Sequence, residues 1–237
     1  MVYKNVVIAV CVASTALIAP VSSAGGERRE CFEKRPTIVG TPGDDVLIGR
    51  EDTADVIMGL GGNDRIQGSE DFNARIAPGD RLCGGSGKDR IQGGVGEDRI
   101  QGGANDDDVD GSFGYDIITQ GGPGNDRVTD CDSEYTGGVR IIKGNSGNDH
   151  LCVNTDATEM HGNAGRDELI DGTCSAESTI RAGHGRDQIE SYDEHSEGTE
   201  CSNLRDDGDD LFGGPGPDEA IVSPNDDETD IEVIETR

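Results

Sequence analysis

The stretch that decides the fold runs GGSGKDRIQ (84–92), GGVGEDRIQ (93–101), GGANDDDVD (102–110), GSFGYDIIT (111–119) and, after one extra residue at Gln120, GGPGNDRVT (121–129). Each nonamer opens on glycine-rich sequence, carries Asp at its sixth place and an aliphatic at its eighth. The pattern extends upstream through GTPGDDVLI (40–48), GREDTADVIM (49–58) and GLGGNDRIQ (59–67), and downstream through GNSGNDHLC (144–152), GNAGRDELI (162–170), AGHGRDQIE (182–190) and GGPGPDEAI (213–221). An aliphatic flanked by polar neighbours reads as a three-residue strand with one inward side chain. Glycine permits the positive φ that turns backbone carbonyls inward, and Asp supplies a hard oxygen of the kind Ca²⁺ favours.

Composition sharpens the picture. The 237 residues carry 49 acidic against 20 basic side chains, a formal charge of −29, with 37 Gly, no Trp, and four each of Phe and Tyr. So acidic a chain does not suit a phosphate backbone, which excludes nucleic acid as a partner. The scarcity of aromatics excludes a conventional thick core. High charge with low hydrophobicity alone predicts disorder, but a register held through most of the chain predicts order of a repetitive kind.

The nonamers resemble the GGxGxDxUx repeat of the RTX, or hemolysin-type, calcium-binding proteins. The resemblance covers about residues 40 to 222 and implies an all-β fold, a right-handed parallel β-roll with two nonamers per coil. It implies calcium ligands at Asp45, Asp55, Asp64, Asp80, Asp89, Asp98, Asp107, Asp116, Asp126, Asp149, Asp167, Asp187 and Asp218. Backbone carbonyls of Gly84, Ser86, Gly93, Val95, Gly102, Ala104, Gly111, Phe113, Gly121 and Pro123 would complete the coordination. Pairing Asp-bearing turns one coil apart gives roughly nine or ten Ca²⁺, and the calcium-free chain is expected to be largely disordered.

Inward aliphatics persist where the Asp is lost, at Ile76, Ile142, Met160, Ile180 and Leu211. Assigning turns alternately to two edges puts Asp45, Asp64, Asp80, Asp98 and Asp116 on one, and Asp55, Asp89, Asp107, Asp126, Asp149, Asp167, Asp187 and Asp218 on the other. The decayed turns beyond residue 129 all fall on the first edge, which is expected to become loops.

Residues 1–24 read as a signal peptide: Lys4, an apolar run from Val6 to Ala19, and small residues Ser22 and Ala24 before the cleavage point. The expected product is secreted and monomeric, has a charge of −30 and has no membrane span. It retains six cysteines, Cys31, Cys83, Cys131, Cys152, Cys174 and Cys201, whose even number in an exported chain suggests disulfides. Cys131–Cys152 and Cys174–Cys201 are the pairs expected along the decayed edge. Residues 25–39 are expected to cap the first coil, and 223–237 to form an acidic cap or tail. Neither flank has room for a catalytic domain, and no GxSxG occurs, so no enzyme is expected. His150, His161, His184 and His195 fall on turn or outward places. The expected function is calcium-dependent and structural or adhesive, with a surface polysaccharide or protein as partner. The alternatives are a carbohydrate-active enzyme of the alginate-modifying type or an accessory module of one, and, more weakly, an ice-binding protein.

Overall fold

A computed structural model of the chain describes residues 30–51, 53–70, 78–130, 138–153, 159–172, 178–191, 194–195, 199–200, 210–222, 227–229 and 233–236. Among these there is no helix. The chain alternates between two ten-stranded parallel sheets, giving one strand to each per coil. Sheet A contains Val56–Gly61, Arg81–Ser86, Arg99–Ala104, Ile118–Pro123, Ile141–Ser146, Glu159–Gly165 and Thr179–Gly185, with Ile38–Val39 at one end and Asp210–Phe212 then Asp227–Thr229 at the other. Sheet B runs from Val46–Ile48 and Arg65–Gln67, through Arg90–Val95, Asp108–Phe113, Arg127–Asp130, His150–Val153, Glu168–Asp171 and Gln188–Ser191, to Glu219–Val222 and Val233–Thr236. The expected parallel β-solenoid is therefore present.

The core is two columns of side chains. In sheet A, Ile57, Leu82 and Ile100 stack in register, as do Ile142, Met160, Ile180 and Leu211. In sheet B, the column is Ile66, Ile91, Val109, Val128, Leu151, Leu169, Ile189 and Ala220. All are fully buried or nearly so. Each large aliphatic contributes about 1.5–3 kcal/mol on burial, yet a coil of two nonamers holds only two of them. Ordering the glycine-rich turns opposes this thin core.

Two expectations are corrected by the register. In GSFGYDIIT the inward residue is Thr119, paired with Ile100 and Ile142 and fully buried, while Ile118 faces outward. The extra residue of this repeat is absorbed before the strand, where Ile117 N–H donates to the Asp98 carbonyl, and not at Gln120. Secondly, Ile57 pairs directly with Leu82. Ile66 likewise pairs directly with Ile91, so the alternation shifts by one between Asp64 and Asp80; Ile76 lies outside the described residues. Asp45 and Asp64 therefore belong to the edge that carries Asp89 to Asp218, and Asp55 belongs with Asp80, Asp98 and Asp116.

Candidate metal sites at the turns

The two edges are defined atomically by a ladder of hydrogen bonds. On the edge leading from sheet A to sheet B, each Asp N–H donates to Oδ1 of the Asp one coil later: Asp45 to Asp64 (2.9 Å), Asp64 to Asp89 (2.8 Å), Asp89 to Asp107 (2.8 Å) and Asp107 to Asp126 (2.8 Å). It continues from Asp126 to Asp149 (2.8 Å), Asp149 to Asp167 (3.0 Å), Asp167 to Asp187 (2.9 Å) and Asp187 to Asp218 (3.0 Å). On the opposite edge it runs from Asp55 to Asp80 (2.7 Å), Asp80 to Asp98 (2.7 Å) and Asp98 to Asp116 (2.9 Å). There the ladder stops. Val139, buried, takes the place of Asp in register with Asp116, and two coils further on Ser178 directly precedes the strand Thr179–Gly185.

Since Oδ1 is spent on the ladder, the second oxygen decides the chemistry. Oδ2 of Asp64, Asp89, Asp98, Asp107, Asp126, Asp149, Asp167 and Asp187 is buried with no hydrogen-bond donor. A buried carboxylate oxygen without a donor is costly, and a cation is the usual remedy. Seven of the eight orphan oxygens face glycines that open the nonamers; at the eighth, Asp187, the opening residue is Ala182. A methyl group on Gly84 would collide with Asp89 Oδ2 and lie 2.5 Å from the Gly102 carbonyl oxygen. At Gly93 it would meet Asp98 Oδ2 at 2.8 Å and the Gly111 carbonyl oxygen. These cradles, walled by a carboxylate and a carbonyl one coil on, exist because glycine stands there. No cluster of three or more carboxylate, imidazole or thiolate side chains forms among the described residues. The donor set is instead single carboxylates plus backbone carbonyls, a hard-oxygen set that fits Ca²⁺.

Electrostatics agree. Burial, reinforced by neighbouring carboxylates, pushes Asp64 up to about 6, Asp149 to about 7, Asp107 to about 8 and Asp98 to about 9. Asp126 and Asp167 rise to about 6 for the same reasons. Asp80, Asp89 and Asp187 are also raised, chiefly by burial. Without a cation these groups keep their protons to higher pH than an ordinary carboxyl, and Asp149, Asp107 and Asp98 keep them to neutrality or above.

The carbonyls divide into two kinds. First-place oxygens of Gly84, Gly93, Gly102 and Gly111 close on the glycines one coil earlier. Third-place oxygens of Ala104, Phe113 and Pro123 accept backbone N–H groups from Gly87, Gly96 and Asn105 at 2.8–3.0 Å. Asp130 is a carboxylate that the repeat pattern overlooks. It stands where the next nonamer would begin, and a methyl group on Gly111 would lie 2.5 Å from Asp116 Oδ2 and 3.3 Å from Asp130 Oδ1. Burial and then the charge of Asp130 hold Asp116 well above the ordinary carboxyl range.

Of the cysteines, Cys31 and Cys83 form a disulfide with Cα atoms 5.9 Å apart. Cys152 is also disulfide-bonded; Cys131, Cys174 and Cys201 lie outside the described residues, as does the signal segment. No helix among the described residues is long and apolar enough to cross a membrane.

Stacked parallel coils lined on both edges by buried carboxylates define a β-roll with carboxylate-bearing, glycine-rich turns. Residues 37–66, 51–71 and 84–118 match the family model of the RTX calcium-binding nonapeptide repeat, in four copies, so the chain carries RTX-type repeats. No curated protein and no solved structure matches the chain.

Proposed function

We propose that this is an exported roll that takes up calcium along both edges and serves as a structural or adhesive element at a cell surface or in a matrix. The observation that carries the calcium reading is the series of eight buried Oδ2 atoms without donors. Each faces a cradle or a neighbouring carboxylate, and a divalent ion would satisfy oxygens from successive coils at once, which makes binding free energy available to folding.

The adhesive reading is favoured by the outer surface of sheet A. Arg81 pairs in register with Arg99, and Lys143 with His161 and then Arg181, in a chain of −29 overall. On sheet B, Arg90 and Arg127 pair with Asp108 at 3.7 and 3.6 Å and His150 with Glu168 at 2.8 Å; on sheet A, His161 pairs with Glu159 at 3.5 Å, while no ion pair is seen for Lys143 or Arg181 among the described residues. The basic residues of sheet A form two short runs on different columns, and in the second the cations Lys143 and Arg181 stand two rungs apart, ~9.6 Å, across His161, whose pKa burial lowers. Such spaced cations suit a linear anionic polymer such as an acidic surface polysaccharide. The test is retention of the calcium-loaded protein on an immobilised acidic polysaccharide. Retention that is lost in Lys143→Glu with Arg181→Glu supports the adhesive role, and indifference to both charges removes it.

A further inference from the structure

Three carboxylates in the repeat pattern differ from the rest. Asp45 Oδ2 accepts the N–H of Thr41 at 2.5 Å and its hydroxyl at 2.9 Å. Asp80 Oδ2 accepts the N–H of Ser69 at 2.9 Å. Asp55 is the most enclosed: Oδ2 accepts the N–H of Arg50 at 2.7 Å, while Oδ1 accepts Arg50 Nη2 at 2.5 Å and the Thr37 hydroxyl at 2.8 Å. The carboxylate that would bind an ion there already holds a guanidinium.

The cause lies in one backbone torsion. Thr41, Arg50 and Ser69 are the second residues of their turns, and none of them is left-handed. Their N–H groups therefore point at the carboxylate. In each of the eight turns whose Oδ2 lacks a donor, the second residue is left-handed, from Leu60 (φ 84°) through Gly85 (φ 119°) and Asn145 (φ 83°) to Gly183 (φ 108°). Left-handed geometry swings that N–H out of the cradle and leaves the oxygen bare. Leu60 adopts it at the cost that any residue with a Cβ bears there. At Gly40 and Gly68 a methyl group would still meet Asp45 Oδ2 at 2.7 Å and Asp80 Oδ2 at 2.8 Å, as in the open turns, but the opening glycine of the Asp55 turn differs. A methyl group on Gly49 would meet Gly68 atoms at 3.2 and 3.3 Å and a Gln67 oxygen at 3.4 Å, with no Asp55 oxygen among its nearest neighbours.

We infer that the turns of Asp45, Asp55 and Asp80 are closed by their own residues and take no calcium, so that the ion ladder begins at Asp64 on one edge and at Asp98 on the other. The inference rests on the calcium reading above and narrows it. Arg50 is a resident cation at Asp55, and the roll starts from turns that need no ion. The Cys31–Cys83 disulfide and the Thr37–Asp55 hydrogen bond secure the same end of the molecule.

Native mass spectrometry of the full chain in saturating calcium counts the ions directly. In Asp45→Asn, Asp55→Asn and Asp80→Asn the count should equal that of the unmodified protein, whereas Asp89→Asn should lose about one ion, the loss of a charged ligand from a carboxylate site. Loss of an ion in any of the first three comparable to that in Asp89→Asn overturns the inference while leaving the calcium reading intact. No loss in Asp89→Asn, or no bound calcium at all, overturns both. Should a variant fail to fold, the unmodified protein decides by NMR. The Arg50 Nε–H, which donates to Asp55 Oδ1 at 3.1 Å, should be hydrogen-bonded and protected at calcium saturation, and an unprotected, solvent-exchanging Nε–H under those conditions contradicts the inference.

Discussion

The backbone N–H of Asp64 donates to Oδ1 of Asp89, 2.8 Å away and one coil further on, while Oδ2 of that same Asp89 is buried with no donor. One half of each carboxylate thus ties the coils together and the other half demands a cation or a proton. Stacking the coils brings these carboxylates together without supplying either.

The demand for a proton sets a pH dependence in the absence of calcium. Asp64, Asp107, Asp98 and Asp149 have pKa values raised to between about 6 and about 9, chiefly by burial, against ~3.9 in an unfolded chain. A raised folded-state value stabilises the fold fully below the unfolded value, and the stabilisation is lost as pH rises through the folded one. In excess chelator, the β signal by circular dichroism should be strongest near pH 4 and fall away between about pH 6 and 9. A β signal that grows with pH in chelator contradicts this.

Gly84→Ala should cripple one site. Its methyl group would occupy the cradle between Asp89 Oδ2 and the Gly102 carbonyl. Forced overpacking of about 1–3 kcal/mol corresponds to roughly 5- to 150-fold in that site's calcium midpoint. Gly43→Ala is the matched control, since its methyl group would meet only Thr41 Oγ1 at 3.9 Å. Calorimetric titration of both variants separates cradle blockage from a general sensitivity to lost glycine.

Thr119 places a hydroxyl without a partner in the core between Ile100 and Ile142. Thr119→Val should stabilise the calcium-loaded roll by about 1 kcal/mol by removing a buried unsatisfied group. Ile100→Ala, at the next rung, should destabilise it by about 2–5 kcal/mol. Urea unfolding in saturating calcium measures both, and a destabilised Thr119→Val variant contradicts the register given for this coil.

The Cys31–Cys83 disulfide closes a loop with a sequence separation of 52. On the chain-entropy view such a loop is worth about 4 kcal/mol. Cys83→Ser should raise the calcium concentration needed for folding and leave the number of bound ions unchanged. A changed ion count places the disulfide's influence at the turns instead.

The period and the identity of the sixth-place Asp were legible in the sequence because both depend on local chemistry: one inward aliphatic, one carboxylate, glycine where a Cβ collides. Edge membership was not fully legible. The longer spacing between Asp64 and Asp80 does not say in the sequence which edge each belongs to, and only the pairing of Ile57 with Leu82 decides it. Nor does the sequence show where an extra residue is absorbed, so Ile118 and Thr119 exchange roles. The N–H of Arg50 bonding Asp55 is invisible for a similar reason, since it depends on one torsion at the second place of the turn. Asp130 escaped because it stands at a place where the pattern expects glycine.

The most direct measurement is the far-ultraviolet circular dichroism of the full chain near pH 7.5, in millimolar calcium and in excess chelator. Stacked, half-bonded carboxylates on a thin core require a β-rich spectrum with calcium and its replacement by that of a disordered chain in chelator, reversible on adding calcium back. An unchanged β spectrum in excess chelator would show that the coils stand without the ions.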